Sequence, residues 1–223
     1  QKGKTVGEYQ LDKITGAAIK IATEPDTSEV TDESNTTGGD ADNTATTVDK
    51  LHIFVGDSRT VGLSNAMGCV SYDKLLQIRT EENLTEYYLA EVGSGYSWYS
   101  TKALPKLVKM LNENPAATVI LNHGINDLGN IDQYIASYQW LIRVYPNTKF
   151  VIMSVNPVNR KLYKGYAKPA NITVFNQKMQ AAFPNNFVNT YQYLQSMGFN
   201  TADGLHYDSL TYMNLYNYMQ PYL

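Results

Sequence analysis

The chain has 223 residues with a hydrophobic share of 43%, enough for one α/β domain with a buried core. Its net charge of −3, from 21 acidic residues against 18 Lys and Arg, gives no reason to expect nucleic acid as a partner, and no apolar run is long enough to cross a bilayer. The single cysteine, Cys69, excludes a disulfide framework and a cysteine-built metal site, and it is expected as a buried structural thiol.

Residues 1–50 read as a leader. They hold ten acids against five bases, which leaves residues 51–223 close to neutral. Apolar positions such as Val6, Tyr9, Leu11, Ile14, Ile19 and Ile21 suggest a short strand or docking segment. Residues 23–50 are Thr, Ser, Asp, Glu, Asn and Gly with no aromatic residue, so they cannot bury enough apolar area to offset their ordering entropy. They are read as a flexible linker of the kind that tethers extracellular bacterial domains. Because the first residue is Gln, any targeting signal or anchor is expected to have been removed.

From residue 51 strand and helix signals alternate. Leu51–Val55 is an apolar, β-branched run that breaks at Gly56, and a helix is predicted from Arg59 to Met67. A second strand is read at Tyr87–Val92, followed by a helix within Tyr99–Asn112 that starts near Pro105. The third strand is Thr118–Gly124. The next helix carries the clearest stripe, Ile131, Tyr134, Ile135, Tyr138, Leu141, Ile142 and Tyr145, with Asn130 and Gln133 as a capping box. Lys149–Val155 is a fourth strand, Asn171–Phe183 a helix, Asn186–Tyr193 a short final strand, and Thr211–Leu223 a closing helix. Such alternation implies a parallel sheet covered on both faces, with right-handed crossovers.

In a sheet of that kind the strand ends gather along one edge, where ligands bind. The first strand delivers Gly56-Asp57-Ser58 to a helix start, which exposes a hydroxyl and favours anionic oxygen beside it. The second delivers Gly93-Ser94-Gly95, whose backbone N–H groups are approachable. The third delivers His123-Gly124-Ile125-Asn126-Asp127, with a neutral amide donor in Asn126. The last loop is Asp203-Gly204-Leu205-His206, where a carboxylate three residues before a histidine can fix its tautomer. Taken singly, each block is equally a helix cap, a tight turn, an Asx turn or a surface turn.

Taken together and in this order, Ser58, a glycine at 95, Asn126 and the Asp203/His206 pair resemble the SGNH hydrolases, the GDSL-type esterases and lipases. The resemblance covers residues 51–223 and implies a three-layer α/β/α fold with a parallel, flavodoxin-like sheet. It implies Ser58 as nucleophile, His206 as general base and then acid, and Asp203 as its orienter. The oxyanion hole would be the backbone N–H groups of Ser58 and Gly95 with the side chain of Asn126, Gly93 being the alternative glycine. Arg59 stands where the family has leucine. It is read as a solvent-exposed helix residue, with rimming of the pocket as the alternative.

No cofactor or metal is implied. Three dispersed histidines without a His-x-x-His pair argue against a zinc deacetylase, and no glycine loop with lysine is present to cradle phosphate. His52 and His123 are expected to be structural, though His123 lies close enough to line the site. Tyr96 and Trp98, beside the glycine block of a chain with 18 tyrosines, suit sugar rings as well as acyl chains, with ordinary core packing as the alternative. The substrate reading is a small, acetyl-type ester on a cell-wall or dietary polysaccharide, acted on outside the cell. An O-acetyltransferase with the same residues, and a catalytically silent glycan-binding module, are the alternatives.

Overall fold

The structure, a computed structural model, describes residues 9–11, 18–20, 50–69, 71–73 and 75–223. Two short leader strands, β1 (Tyr9–Leu11) and β2 (Ala18–Lys20), pair antiparallel. Of the linker read at residues 23–50, residues 23–49 lie outside the described residues, and Lys50 begins a strand of the main sheet.

The main body is a seven-stranded sheet. Its strands are β3 (Lys50–Gly56), β4 (Ser71–Asp73), β5 (Leu76–Glu81), β6 (Leu84–Ala90), β7 (Thr118–Asn122), β8 (Lys149–Met153) and β9 (Phe187–Val188). Five of them run parallel in the order β6-β3-β7-β8-β9. Beyond β6, strands β5 and β4 extend the sheet antiparallel, an addition to the all-parallel expectation. Half-buried polar positions in β5 blur the alternation that would have marked it as a strand.

Strand alternation sorts the core into two layers. Ile53, Val55, Leu89, Val119, Leu121 and Ile152 face one side. They pack under α3 (Leu104–Glu113), α4 (Ile131–Val144) and α5 (Pro169–Ala182). Phe54, Tyr88, Ile120, Val151 and Met153 face the other, under α1 (Ser58–Ala66), α6 (Thr190–Met197) and α7 (Ser209–Met219). A helical turn, α2 (Tyr96–Trp98), runs through a wide turn at Tyr99–Ala103 directly into α3. The chain leaves β3 toward β6 on one side and returns to β7 on the other. That reversal is a switch point in the topology at the carboxyl end of β3, the place where open sheets of this kind bind ligands.

Two local expectations are corrected. The short strand ends at Val188, and Tyr193 lies in α6, because Asn189 caps a helix by accepting from the Gln192 N–H. The Asn130–Gln133 capping box does not form, since the Asn130 amide donates instead to Asp127 at 2.9 Å. Cys69 is buried, and burial pushes its thiol up to about 11.

One buried carboxylate ties β6, β5 and α7 together. Glu86, directly across from His52 in β3, is fully buried. It accepts from Arg79 Nη1 at 2.9 Å, Tyr88 Oη at 2.8 Å and Tyr216 Oη at 2.5 Å. Burial alone would raise its pKa, but the nearby His52 ring, the two phenols and the guanidinium outweigh it and hold the carboxyl at about 2. A depressed folded value makes this contribution complete above the ordinary value of 4.5 and lost as pH falls through about 2. Glu86→Gln is therefore expected to lower stability by roughly 3 kcal/mol at pH 7. The gap to the parent should shrink as pH drops from 4.5 toward 2 in urea unfolding, and a constant gap would contradict the assignment.

Candidate active site

Ser58 is the first residue of α1, and it follows β3 after only Asp57. Asp57 caps the helix, its Oδ1 accepting from the Arg59 N–H at 3.0 Å. Both residues are buried. Burial pushes the Asp57 carboxyl up to about 6, against the pull of the Arg59 N–H and guanidinium.

The 203–206 loop meets this serine. His206 Nε2 lies 2.8 Å from Ser58 Oγ, and His206 Nδ1 lies 2.6 Å from Asp203 Oδ2. The other Asp203 oxygen accepts from the backbone N–H groups of Leu205 and His206, each at 2.8 Å. Burial works against the ionised form, but the bonds from the imidazole and from these two amides hold the Asp203 carboxyl well below the usual carboxylate range. An ionised carboxylate only accepts, so Nδ1 carries the hydrogen and Nε2 offers its lone pair to the Ser58 hydroxyl. The histidine and aspartate side chains are 40% and 53% exposed, so the site opens to solvent.

The loops after β6 and β7 are laced to each other beside this pair. Asn126 Nδ2 donates to the Ser94 carbonyl at 2.8 Å, leaving its second N–H for another acceptor. Asp127 accepts from the Tyr96 N–H at 2.5 Å and from Tyr134 Oη at 3.0 Å. A Cβ on Gly95 would stand 2.6 Å from the Asp127 carboxylate, so only glycine fits that approach. Gly93 sits at φ +77° in an exposed turn with open space around it.

Neither a protein-family model nor a curated protein sequence matches the chain. Solved structures do. An acetyl xylan esterase aligns with a TM-score of 0.55 at 16% identity, covering 77% of this chain and 98% of its own. An acetyl-xylooligosaccharide esterase from Geobacillus stearothermophilus gives 0.54 at 12%, covering 78% and 94%. A lipase/acylhydrolase from Enterococcus faecalis gives 0.52 at 17%, covering 74% and 91%. The chain has the SGNH hydrolase fold.

Within this SGNH fold the largest departure from the sequence reading is Arg59. It is neither solvent-exposed nor on a pocket rim, being only 3% exposed. Its guanidinium donates to the carbonyls of Asn156 at 2.7 Å, Pro157 at 2.9 Å and Leu205 at 3.0 Å. It also lies 5.1 Å from the centre of the Tyr207 ring. The residue after the serine thus clamps the loop that carries His206 and the loop that follows β8. Gly204 completes the docking. It stands at φ +82°, and a Cβ there would meet the Tyr163 nitrogen at 2.3 Å. Partners about 100 and 146 positions away explain why the sequence did not reveal this role.

The aromatic residues beside the glycine block lie behind the site in this SGNH fold. Tyr96 is buried against Tyr134, with ring centres 5.1 Å apart. Trp98 is half-buried, 6.0 Å from His123. His123 is itself buried between Tyr99 and Tyr134. Burial pushes the His123 imidazole down to about 3, so it stays neutral.

Arg59→Met keeps most of the apolar stem but takes the guanidinium from three carbonyls, of which, among the described residues, only Pro157 keeps a second donor, the Tyr207 hydroxyl at 2.6 Å. It is expected to lower stability by at least ~2 kcal/mol in urea unfolding. Arg59→Lys should recover only a fraction, because a point ammonium cannot span the fork. An unchanged midpoint for Arg59→Met would refute the clamp.

Proposed function

We propose that the protein is a serine esterase that removes small acyl groups, acetyl above all, through an acyl-enzyme on Ser58. The observation that carries this reading is the pair of contacts at His206, 2.8 Å to the Ser58 hydroxyl and 2.6 Å to the Asp203 carboxylate. Ser58 Oγ attacks the ester carbonyl carbon while His206 Nε2 takes its proton, and the C=O pair moves onto oxygen. Asp203 steadies the imidazolium. The oxyanion collapses, the C–O bond to the alcohol breaks, and His206 returns the proton to the departing alkoxide. Water then repeats the sequence on the acyl-enzyme, and the carboxylic acid leaves.

Oxyanion stabilisation is assigned to the Ser58 N–H at the start of α1, the Gly95 N–H and the free hydrogen of the Asn126 amide. Gly95 is preferred to Gly93 because Asp127 holds the residue after it, whereas Gly93 lies in an open turn. The acetyl-ester reading on a polysaccharide draws support from the acetyl xylan esterases among the similar structures. The acidic, Thr- and Ser-rich stretch before residue 51 supports action outside the cell, with the domain held by that tether.

Ser58→Ala is expected to abolish turnover of p-nitrophenyl acetate, and Asn126→Ala to slow it by roughly 10²–10³. Acetate release should not need a glycan acceptor. Equal rates in the parent and Ser58→Ala would sink the proposal.

A further inference from the structure

The loop of residues 158–168, between β8 and α5, touches both sides of the site. On one side the Asn159 N–H donates to the Gly204 carbonyl at 2.8 Å, two residues before His206. On the other, Tyr166 Oη donates to the Ile125 carbonyl at 2.7 Å, one residue before Asn126. Between these anchors the loop braces itself. Arg160 Nη1 donates to the Gly165 carbonyl at 2.9 Å and lies 5.6 Å from the centre of the Tyr163 ring. Val158 and Ala167, at its two ends, are buried in the core.

This bridge, anchored at both ends, leaves two large side chains in solvent. Leu162 is 48% exposed and Tyr166 is 53% exposed. The contact of its hydroxyl with the Ile125 carbonyl places the tyrosine against the loop that carries Asn126. Burial, Tyr163 and the charges of Asp127 and Asp57 together push its phenol above the ordinary value.

We infer that the 158–168 loop is the substrate-recognition wall of this site, and that Tyr166 offers its exposed ring as the platform for the sugar ring that bears the ester. A pyranose has a face of C–H bonds, which meets the negative face of an aromatic ring favourably. The Tyr166 hydroxyl is already engaged by Ile125, so the ring is presented at a fixed tilt and loses little freedom when a ligand stacks on it. A flat, fixed face matches a sugar better than it matches a flexible acyl chain, which needs an enclosed slot.

The inference rests on the esterase reading for which ester the sugar carries, so the test reads binding apart from turnover. Partly acetylated xylotetraose is titrated calorimetrically into Ser58→Ala protein, with and without a second substitution at Tyr166. Tyr166→Ala should weaken binding about tenfold, while Tyr166→Phe, which keeps the ring, should stay within about threefold of the host. Equal affinity with and without the Tyr166 ring, an equal loss for Phe and Ala, or no binding to the Ser58→Ala host overturns the inference. Turnover of p-nitrophenyl acetate by the parent reads the esterase proposal separately. A Tyr166→Ala loss that falls on p-nitrophenyl butyrate rather than on the glycan would make the ring an acyl-chain contact and also overturn it.

Discussion

A buried guanidinium with no carboxylate in direct contact among the described residues is an expensive thing to place in a protein core, and the geometry of this site depends on one. Arg59 gives its donors to backbone carbonyls of two loops that come from distant parts of the chain. Carbonyls at loop positions lack ladder partners, so each would be costly to bury alone. The cation and the carbonyls therefore satisfy one another. Because Arg59 directly follows Ser58, the element that fixes the hydroxyl also fixes the backbone one residue before His206. The 2.8 Å contact between Ser58 and His206 is set by that shared anchor and not by the two side chains alone.

The electrostatics follow from the same packing. Asp57 lies under Ser58 with its carboxyl raised by burial to about 6, and Asp203 lies in the solvent-facing loop with its carboxyl held low by three donors. Two aspartates of one site thus differ because one has lost its water and the other has gained hydrogen bonds. Only the second faces the imidazole. The buried, neutral His123 belongs to the aromatic layer that supports the glycine block from behind.

Much of this was legible in the sequence where the signal is local. Short continuous apolar runs marked β3, β7 and β8, as strands buried on both faces do, and a helical stripe marked α4 to within a residue. Asp203 and His206 sit three positions apart in one turn, so their contact could be anticipated from spacing. Other features depend on partners that no window along the chain contains. Arg59 reads as a helix-surface residue until the loops at 156 and 205 close over it. Tyr166 is one tyrosine among 18 until its hydroxyl meets Ile125. Helix α6 was masked by β-branched and aromatic residues around Val188, and its cap at Asn189 is a weak marker by itself.

The central claim is that the Ser58 hydroxyl is a nucleophile made reactive by His206. The most direct measurement is labelling by a fluorophosphonate probe, with the modified residue located by mass spectrometry in the parent and in His206→Ala. A single adduct on Ser58 is expected in the parent, with a labelling rate lower by roughly 10²–10⁴ without the imidazole. An adduct elsewhere, no adduct at all, or equal rates in the two proteins would contradict it.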